Sequence, residues 1–597
     1  MISNGFQSIA DILKDRGETN AGGTAYTFLN DGETESHAIT YGELDVQCRA
    51  LAVMLRDWRI QRPLLVYPPG LDFIVSFFAC MYAGITPVPA GLAHVMRVGR
   101  SLTRLAAVAL DADADAVLSV SRVIDRALVN PDFMNRSPEL ARMRWLATDR
   151  CDETLAPCYR HSAAPSEAPA FLQYTSGSTA IPKGVVVSHR NLLHNLNYCN
   201  EVERNGPDTI SVSWLPHSHD MGLIEGILLP TFGGYPAYLM SPASFLRRPA
   251  RWLEAITRFR ATNSGGPNFA FDLCIEKISA EEMEPLDLGS WRVAYNGSET
   301  IRKETLLGFR ERFERCGFRW NAFYPVYGLA ESTLLVSSGG ADEEPHFREL
   351  DAEAMGRGIV SPPGEHTVKT VSVAACGRTG SHTRVVIVDP ETLAECGPDE
   401  IGEIWIAGPS VAQQYWRKTA ETQAAFHARL RDSRDGPFLR TGDLGFLSDG
   451  RLFITGRIKD IINIRGFKHY PQDIEHTISQ THAAIPANGC AAFAVDQDGT
   501  EQLAVVVEAP PRLSQCFQEW DESAFATIQA AVTERHGVQI RSLALAPYGA
   551  IPKTTSGKLQ RQLCRRWFID GSLQTVRIWS GPKGCASDQE DVAKRPY

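Results

Sequence analysis

Tyr174-Thr175-Ser176-Gly177-Ser178-Thr179-Ala180-Ile181-Pro182-Lys183-Gly184 packs hydroxyls, glycines and a lysine into one short run, and the apolar Val185–Val187 follows directly. Glycine lets backbone N–H groups approach an anion closely, and the hydroxyls and Lys183 add further donors. The GxxxxGK[ST] spacing of a Walker A loop is absent. A polar loop leading into a strand has the same outline, but this density of donors favours an anion, above all a phosphate.

Working outward, apolar runs at Pro63–Tyr67, Ala116–Val120, Gly184–Ser188, Ser211–Leu215 and Arg384–Asp389 alternate with helical patterns. That alternation predicts an α/β fold with largely buried strands. Phe73–Ala93 carries no charge and is long enough to span a bilayer, yet it holds Gly84, Pro87 and Pro89. Those breakers predict a buried helix over Phe73–Tyr82, a stop at Gly84 and a short strand, with no stable membrane insertion. Ala425–Gly436 reads as a surface loop. Gly456-Arg457-Ile458-Lys459-Asp460 reads as a junction, followed by a shorter run of strand and helix patterns. The expected division is a large domain over 1–456, a hinge at 457–460, a small domain over 461–584 and a disordered tail over 585–597.

The chain has 597 residues, 44% of them hydrophobic, which suits more than one domain core. Its net charge of −10 argues against a nucleic-acid partner. The 13 cysteines show no CxxC spacing, so neither a zinc site nor a redox motif is predicted, and reduced thiols in a cytoplasm are expected. Met1–Asp15 lacks the basic and apolar runs of a signal peptide.

Five further segments join the opening loop: Asn296-Gly297-Ser298-Glu299, Tyr324-Pro325-Val326-Tyr327-Gly328-Leu329-Ala330-Glu331, Arg440-Thr441-Gly442-Asp443, Gly456–Asp460, and Pro552-Lys553-Thr554-Thr555-Ser556-Gly557-Lys558. In this order they resemble the adenylate-forming superfamily of acyl-CoA synthetases, peptide-synthetase adenylation domains and luciferases. The resemblance implies a large multi-subdomain N-terminal domain with a small mobile α+β C-terminal one. It implies ATP and Mg²⁺ as cofactors. Thr175, Ser176, Gly177, Ser178, Thr179 and Lys183 would bind the nucleotide's phosphates. Gly297, Ser298, Glu299, Tyr327 and Gly328 would lie on its adenine side, and Asp443 and Arg457 near ribose or phosphate. Glu331 is a hard oxygen ligand suited to Mg²⁺; a helix N-terminal acid is its structural alternative. Lys558 would bridge the acid's carboxylate and the α-phosphate, and Lys459 would be the hinge. Both reactants are anionic, so the site must neutralise charge where it develops.

Ser213-Trp214-Leu215-Pro216-His217-Ser218-His219-Asp220-Met221-Gly222-Leu223 resembles a segment of one branch, the fatty acyl-AMP ligases, as do Ser241–Leu246, Arg248–Trp252, Pro267–Phe271 and His469–Glu475. Trp214, Asp220, Met221 and Gly222 are thereby expected at the acyl pocket and His219 at the acid's carboxylate. His217-Ser218 departs from the branch, where an aromatic is common. His219, Asp220 and His217 could also suggest a metal, but no further ligand lies in reach by sequence. The long run between Glu331 and Val385 matches the branch's insertion, expected at about 340–375 and expected to restrain the domain rotation that builds a CoA site.

The expected reaction forms a fatty acyl-adenylate and hands it to the phosphopantetheine of a separate acyl carrier protein, since only Leu559–Tyr597 follow the lysine. Such a step would serve polyketide, lipopeptide or lipid biosynthesis. An acyl-CoA ligase shares every ATP motif, and an amino-acid-activating enzyme would use an acid such as Asp220 for the substrate amine. A non-catalytic nucleotide sensor needs neither Glu331 nor Lys558.

Overall fold

The computed structural model describes residues 5–91, 100–129, 133, 135, 137–162, 164–174, 182–482, 485–486, 488–497, 500–509, 520, 522–554 and 557–580. The chain forms two compact units. One comprises Met1–Leu350 and Val371–Thr455, the other Asp351–Thr370 and Gly456–Tyr597. The second unit takes in Asp351–Thr370, a stretch the sequence reading places in the large domain, together with the chain from Gly456 onward. The expected tail over 585–597 lies outside the described residues.

The first unit is organised by a nine-stranded sheet. Its centre runs Phe323–Gly328, Val293–Asn296, Asn263–Gly266, Ser211–Ser213, Ala237–Met240, Thr24–Asn30, all parallel. Antiparallel strands close both edges. Chain order reverses around Ser211–Ser213. The next strand, Ala237–Met240, pairs on one side of it, and the one after, Asn263–Gly266, pairs on the other. In open parallel sheets the crevice outside the carboxyl ends of the strands at such a reversal is where ligands bind. Trp214–Leu223, Pro267–Phe271, Gly297–Glu299 and Leu329–Glu331 all leave the carboxyl ends of these strands.

A second, parallel sheet is ordered Val88–Gly91, Pro63–Tyr67, Ala116–Ser119, Arg144–Ala147. Its helix Leu71–Ala83 is apolar over most of its length because Phe73, Ile74 and Phe77–Tyr82 are buried, with Asp72 in its first turn left exposed. It ends at Gly84, whose φ of 72° is the left-handed cap a glycine supplies. Helix and strand thus divide the uncharged stretch as its breakers predict. Among the described residues, no helix is long and apolar enough to cross a membrane. A third sheet, Arg384–Val388, Gly402–Ala407, Leu439–Ser448, Arg451–Arg457, leads to the junction.

The second unit has its own core. Ile474, Ile478, Val505, Phe525, Ile528 and Leu543 pack the helices Pro471–Thr481 and Glu522–His536 on the sheet Cys490–Gln497, Thr500–Glu508, Ile540–Ala546, Arg577–Ser580. Each unit thus has a hydrophobic core of its own, as a domain does. Asp351 caps the short helix Ala352–Gly356 and accepts from the Thr367 hydroxyl. Arg357 lies over the ring of Phe467 in the same unit.

Candidate active site

Thr175, Ser176, Gly177, Ser178 and Thr179 lie outside the described residues. Their flanks are described: the strands Pro169–Tyr174 and Gly184–Ser188 form an antiparallel hairpin with Tyr174 opposite Gly184. The donor-rich loop is therefore the connection of a two-stranded ribbon. The Tyr174 hydroxyl is held by Asp111 at 2.7 Å.

Lys183 sits on the outgoing side of that ribbon, its Nζ 5.2 Å from the centre of the Tyr415 ring. The segment Gln414–Trp416 pairs along the ribbon, with Val186 N–H donating to the Gln414 carbonyl and Trp416 N–H to that of Gly184. The Tyr415 hydroxyl in turn donates to Glu331 Oε1 at 2.8 Å, and Ala412 N–H donates to the Glu331 carbonyl. Burial and the Glu331 carboxylate push the Tyr415 hydroxyl well above its ordinary range, so it remains a donor at all working pH. Lys183, Tyr415 and Glu331 thus form one chain of contacts. No sequence motif marks Tyr415; only folding brings it between two residues that the motifs do mark.

A second pair joins across the same unit. Tyr327 donates its hydroxyl to Asp443 Oδ2 at 2.8 Å, and both are buried. Asp443 is aimed by Glu403, which is 2% exposed and was not anticipated. Glu403 accepts two bonds from Arg440, at 2.9 and 2.7 Å, and one from Gly442 N–H at 3.1 Å. The fork-like arginine pair fixes the turn that presents Asp443. Gly328 ends its strand in close contact with Leu334, and Gly297 packs on Val326. Ser298 has φ 73° and lies against Met221, its Oγ 4.0 Å from the sulfur. Glu299 accepts from Phe269 N–H at 2.7 Å, at the start of the helix Asn268–Lys277. An anion at a helix N-terminus is stabilised there, so Glu299 has a structural partner of its own.

At the chain reversal, His219 Nδ1 and Asp220 Oδ1 are 2.6 Å apart, and Asp220 also accepts from Met221 N–H. Gln173, at the entry to the hydroxyl-rich loop, donates to the Ser218 carbonyl at 3.1 Å and ties the two loops together. Gly222 is obligatory, since a Cβ there would overlap the Pro216 carbonyl. Trp214 is stacked on Phe245 within an aromatic cluster with Trp252 and Phe269. Its neighbours Ser213 and Leu215, with Gly222, line a cavity that also touches Phe28, Ile74 and Met240.

In the second unit, Lys558 lies on a small hairpin. Thr554 N–H donates to its carbonyl, its own N–H donates to Thr554 Oγ1, and Gly557 turns the chain at φ 84°. Thr555 and Ser556 lie outside the described residues. The hairpin is anchored by Glu508, fully buried, which accepts from Ile551 N–H and pairs with Lys553 at 3.2 Å. Arg457 and Lys459 are exposed, and the Lys459 carbonyl accepts from Gln562 at 2.7 Å.

The family model described as AMP-binding enzyme matches residues 13–416, and the one for the Disco-interacting protein 2-like AMP domain matches 459–578. The chain is 44% identical to the medium-chain-fatty-acid–[acyl-carrier-protein] ligase JamA of Moorena producens, over 95% of this chain and 96% of that protein. It is 35% identical to the long-chain-fatty-acid–AMP ligase FadD32 of Mycolicibacterium smegmatis, over 93% of each. A crystal structure of the fatty acyl-adenylate ligase from L. pneumophila, in complex with acyl adenylate and pyrophosphate, superposes with a TM-score of 0.74. Identity there is 37%, over 96% of this chain and 98% of that one. With these likenesses covering nearly its whole length, the chain belongs to the AMP-binding enzyme family, in its fatty acyl-AMP ligase branch.

Proposed function

We propose that this enzyme condenses a medium- or long-chain fatty acid with ATP to acyl-adenylate and pyrophosphate, then passes the acyl group to the phosphopantetheine thiol of a separate acyl carrier protein. In the first step a carboxylate oxygen bonds to the α-phosphorus, and the bond from that phosphorus to the bridging oxygen breaks. In the second, the thiol sulfur bonds to the acyl carbon, AMP leaves and the thiol proton is released. The observation that carries this reading is the linked set Lys183–Tyr415–Glu331 and Tyr327–Asp443 in the unit whose strand ends open at the chain reversal.

Asp443 accepts from the ribose hydroxyls, and Tyr327 fixes its orientation. His219, held by Asp220, orients the acid's carboxylate. Lys183 supplies positive charge to the phosphates, and Lys558 does so at the reacting centre. The donor set suits Mg²⁺ shared with a nucleotide. Glu331 is a single hard carboxylate with one oxygen held by Tyr415, and no cluster of three ligating side chains is found among the described residues. Mg²⁺ is commonly held this way, by one or two carboxylates plus substrate phosphates; bound there, it supplies charge neutralisation on the phosphates.

The carrier protein is favoured over CoA because of the insertion. The chain passes between the two units at Leu350–Asp351, at Thr370–Val371 and at Thr455–Gly456. Two of these crossings belong to the insertion, and each added tether removes rotational freedom that a lone hinge would have. The test is to incubate the enzyme with MgATP and octanoate, adding either CoA or a phosphopantetheinylated carrier. Acyl-adenylate and acyl-carrier are expected; catalytic turnover to octanoyl-CoA overturns the acceptor assignment.

A further inference from the structure

Glu331 sits within the connection Leu329–Leu334, between the strands Phe323–Gly328 and Leu335–Ser338. Leu329 N–H donates to the Leu334 carbonyl at 3.0 Å, so the connection closes on itself. The closure is tight: a Cβ on Gly328 would overlap that same carbonyl. A sharp reversal at Thr333, with φ 67° and ψ −65°, makes it possible, and across it Leu334 N–H donates to the Ser332 carbonyl at 2.8 Å. This is the rare form of the γ-turn, strained for an L residue and more so for one branched at Cβ. Glycine adopts such a backbone far more easily, so the turn by itself does not account for a threonine. The hydroxyl accounts for it. Thr333 is wholly buried, and its Oγ1 donates to the Ser410 carbonyl at 2.7 Å.

That acceptor is itself fixed. Asn195, also wholly buried, donates through Nδ2 to Ser410 Oγ at 3.1 Å. The same amide accepts from Leu335 N–H at 3.1 Å and donates to the Leu335 carbonyl at 2.9 Å. It thus ties the residue where the connection ends to the residue that holds the turn. A strained backbone persists only where its surroundings over-determine it, and Ser410 and Asn195 do so here. Beyond Ser410, Ala412 N–H donates to the Glu331 carbonyl at 2.9 Å, and the Tyr415 hydroxyl reaches the Glu331 carboxylate. Tyr415 orients the side chain; Thr333 sets the backbone that carries it.

We propose that Thr333 is a positioning residue for nucleotide-bound Mg²⁺: through Ser410 it holds the strained turn that fixes where Glu331 stands. This inference rests on the assignment of Glu331 to Mg²⁺ above. Without the hydroxyl the backbone relaxes toward an ordinary region, and rotation at Thr333 carries Glu331, two residues away, off its place. Mg²⁺ demands near-ideal octahedral geometry with oxygens at about 2.0–2.1 Å, so a displaced carboxylate serves it poorly. Metal-free ATP makes no such demand on Glu331.

The experiment measures ATP affinity by calorimetry with no acid present, so nothing turns over, once with excess Mg²⁺ and once in EDTA. A Kd does not depend on the fraction of protein that is folded. Wild type is expected to bind MgATP more tightly than metal-free ATP. Thr333→Val keeps the branched shape without the hydroxyl. It is expected to lose about tenfold in affinity for MgATP, the worth of one buried hydrogen bond, with metal-free ATP within about twofold of wild type. Thr333→Gly tolerates the turn and so folds even where the valine variant does not; with nothing to hold the turn it is expected to show the same selective loss. Thr333→Ser restores the hydroxyl and is expected to lie closer to wild type than Thr333→Val. No loss in the valine and glycine variants, or an equal loss for MgATP and metal-free ATP, overturns the proposal. Glu331→Gln separates the two readings. If it leaves the preference for MgATP intact, or if wild type has none, the metal assignment fails and this inference with it. If it abolishes the preference while the Thr333 variants keep it, only the role of Thr333 fails.

Discussion

Replacing Tyr415 by phenylalanine separates the two contacts that this side chain makes. The ring, and with it the 5.2 Å approach of Lys183, survives; the hydroxyl that donates to Glu331 Oε1 at 2.8 Å does not. A hydrogen bond to a charged group is worth about 1.5–3 kcal/mol when its loss leaves the charge unsatisfied. Glu331 is only half-buried, so water recovers part of that, and about 1–2 kcal/mol is expected to remain. At 1.4 kcal/mol per decade this is a loss of about 5–30-fold in kcat/KM for MgATP. Because Glu331 is the carboxylate placed to share Mg²⁺ with the phosphates, the half-saturating Mg²⁺ concentration should rise as well. Tyr415→Ala removes the ring too and should lose a further ~0.5–1 kcal/mol from the lysine contact, beyond the packing defect. The assay is continuous pyrophosphate release with octanoate across a range of free Mg²⁺. If Tyr415→Phe stays within twofold of wild type in both kcat/KM and Mg²⁺ dependence, the hydroxyl does not orient Glu331 and the linked-set argument fails.

Three other outcomes are expected. Lys558→Ala should lower adenylation by about 10²–10³-fold with little change in Tm, since the side chain is half-buried on a hairpin held by Glu508 and Thr554; near-normal pyrophosphate release refutes its role. Glu403→Gln keeps the shape but removes the charge that holds Arg440 and Gly442. It should destabilise by about 2 kcal/mol, allowing for a partly exposed arginine, and raise the KM for ATP; Tm and KM together check it. Finally, burial holds His189, His217 and His536 neutral down to about pH 4, the last helped by nearby His469, Lys369 and Arg535. Their unfolded pKa is about 6.5, so between these values the unfolded chain binds more protons than the folded one. Stability should be full above pH 6.5 and fall as the pH drops toward 4; a Tm constant over pH 7 to 4.5 refutes the burial of these rings.

The motifs were legible because each is local chemistry. The hydroxyl-rich loop is bounded by the strands Pro169–Tyr174 and Gly184–Ser188, and its apolar exit run is enough to predict the second of them. Gly84 and the prolines after it broke the long uncharged stretch where the helix Leu71–Ala83 ends, because backbone preference acts over a few residues. Less legible was what each marked residue touches. Glu299, expected beside the nucleotide, caps a helix through Phe269, and Trp214, expected at the acyl pocket, stacks in an aromatic cluster one residue from the cavity lining.

From residue order alone come the α/β class, the junction near Gly456, the succession of donor-rich turns and the terminal lysine. All of these depend on interactions within a turn or a single element. Only tertiary structure decided that Tyr415 joins Lys183 to Glu331, that Glu403 sets Asp443, and that Asp351–Thr370 packs with the C-terminal unit. Those pairings link positions tens to hundreds of residues apart. Long-range contacts arise from the joint packing of many side chains, so no spacing rule in the sequence encodes them.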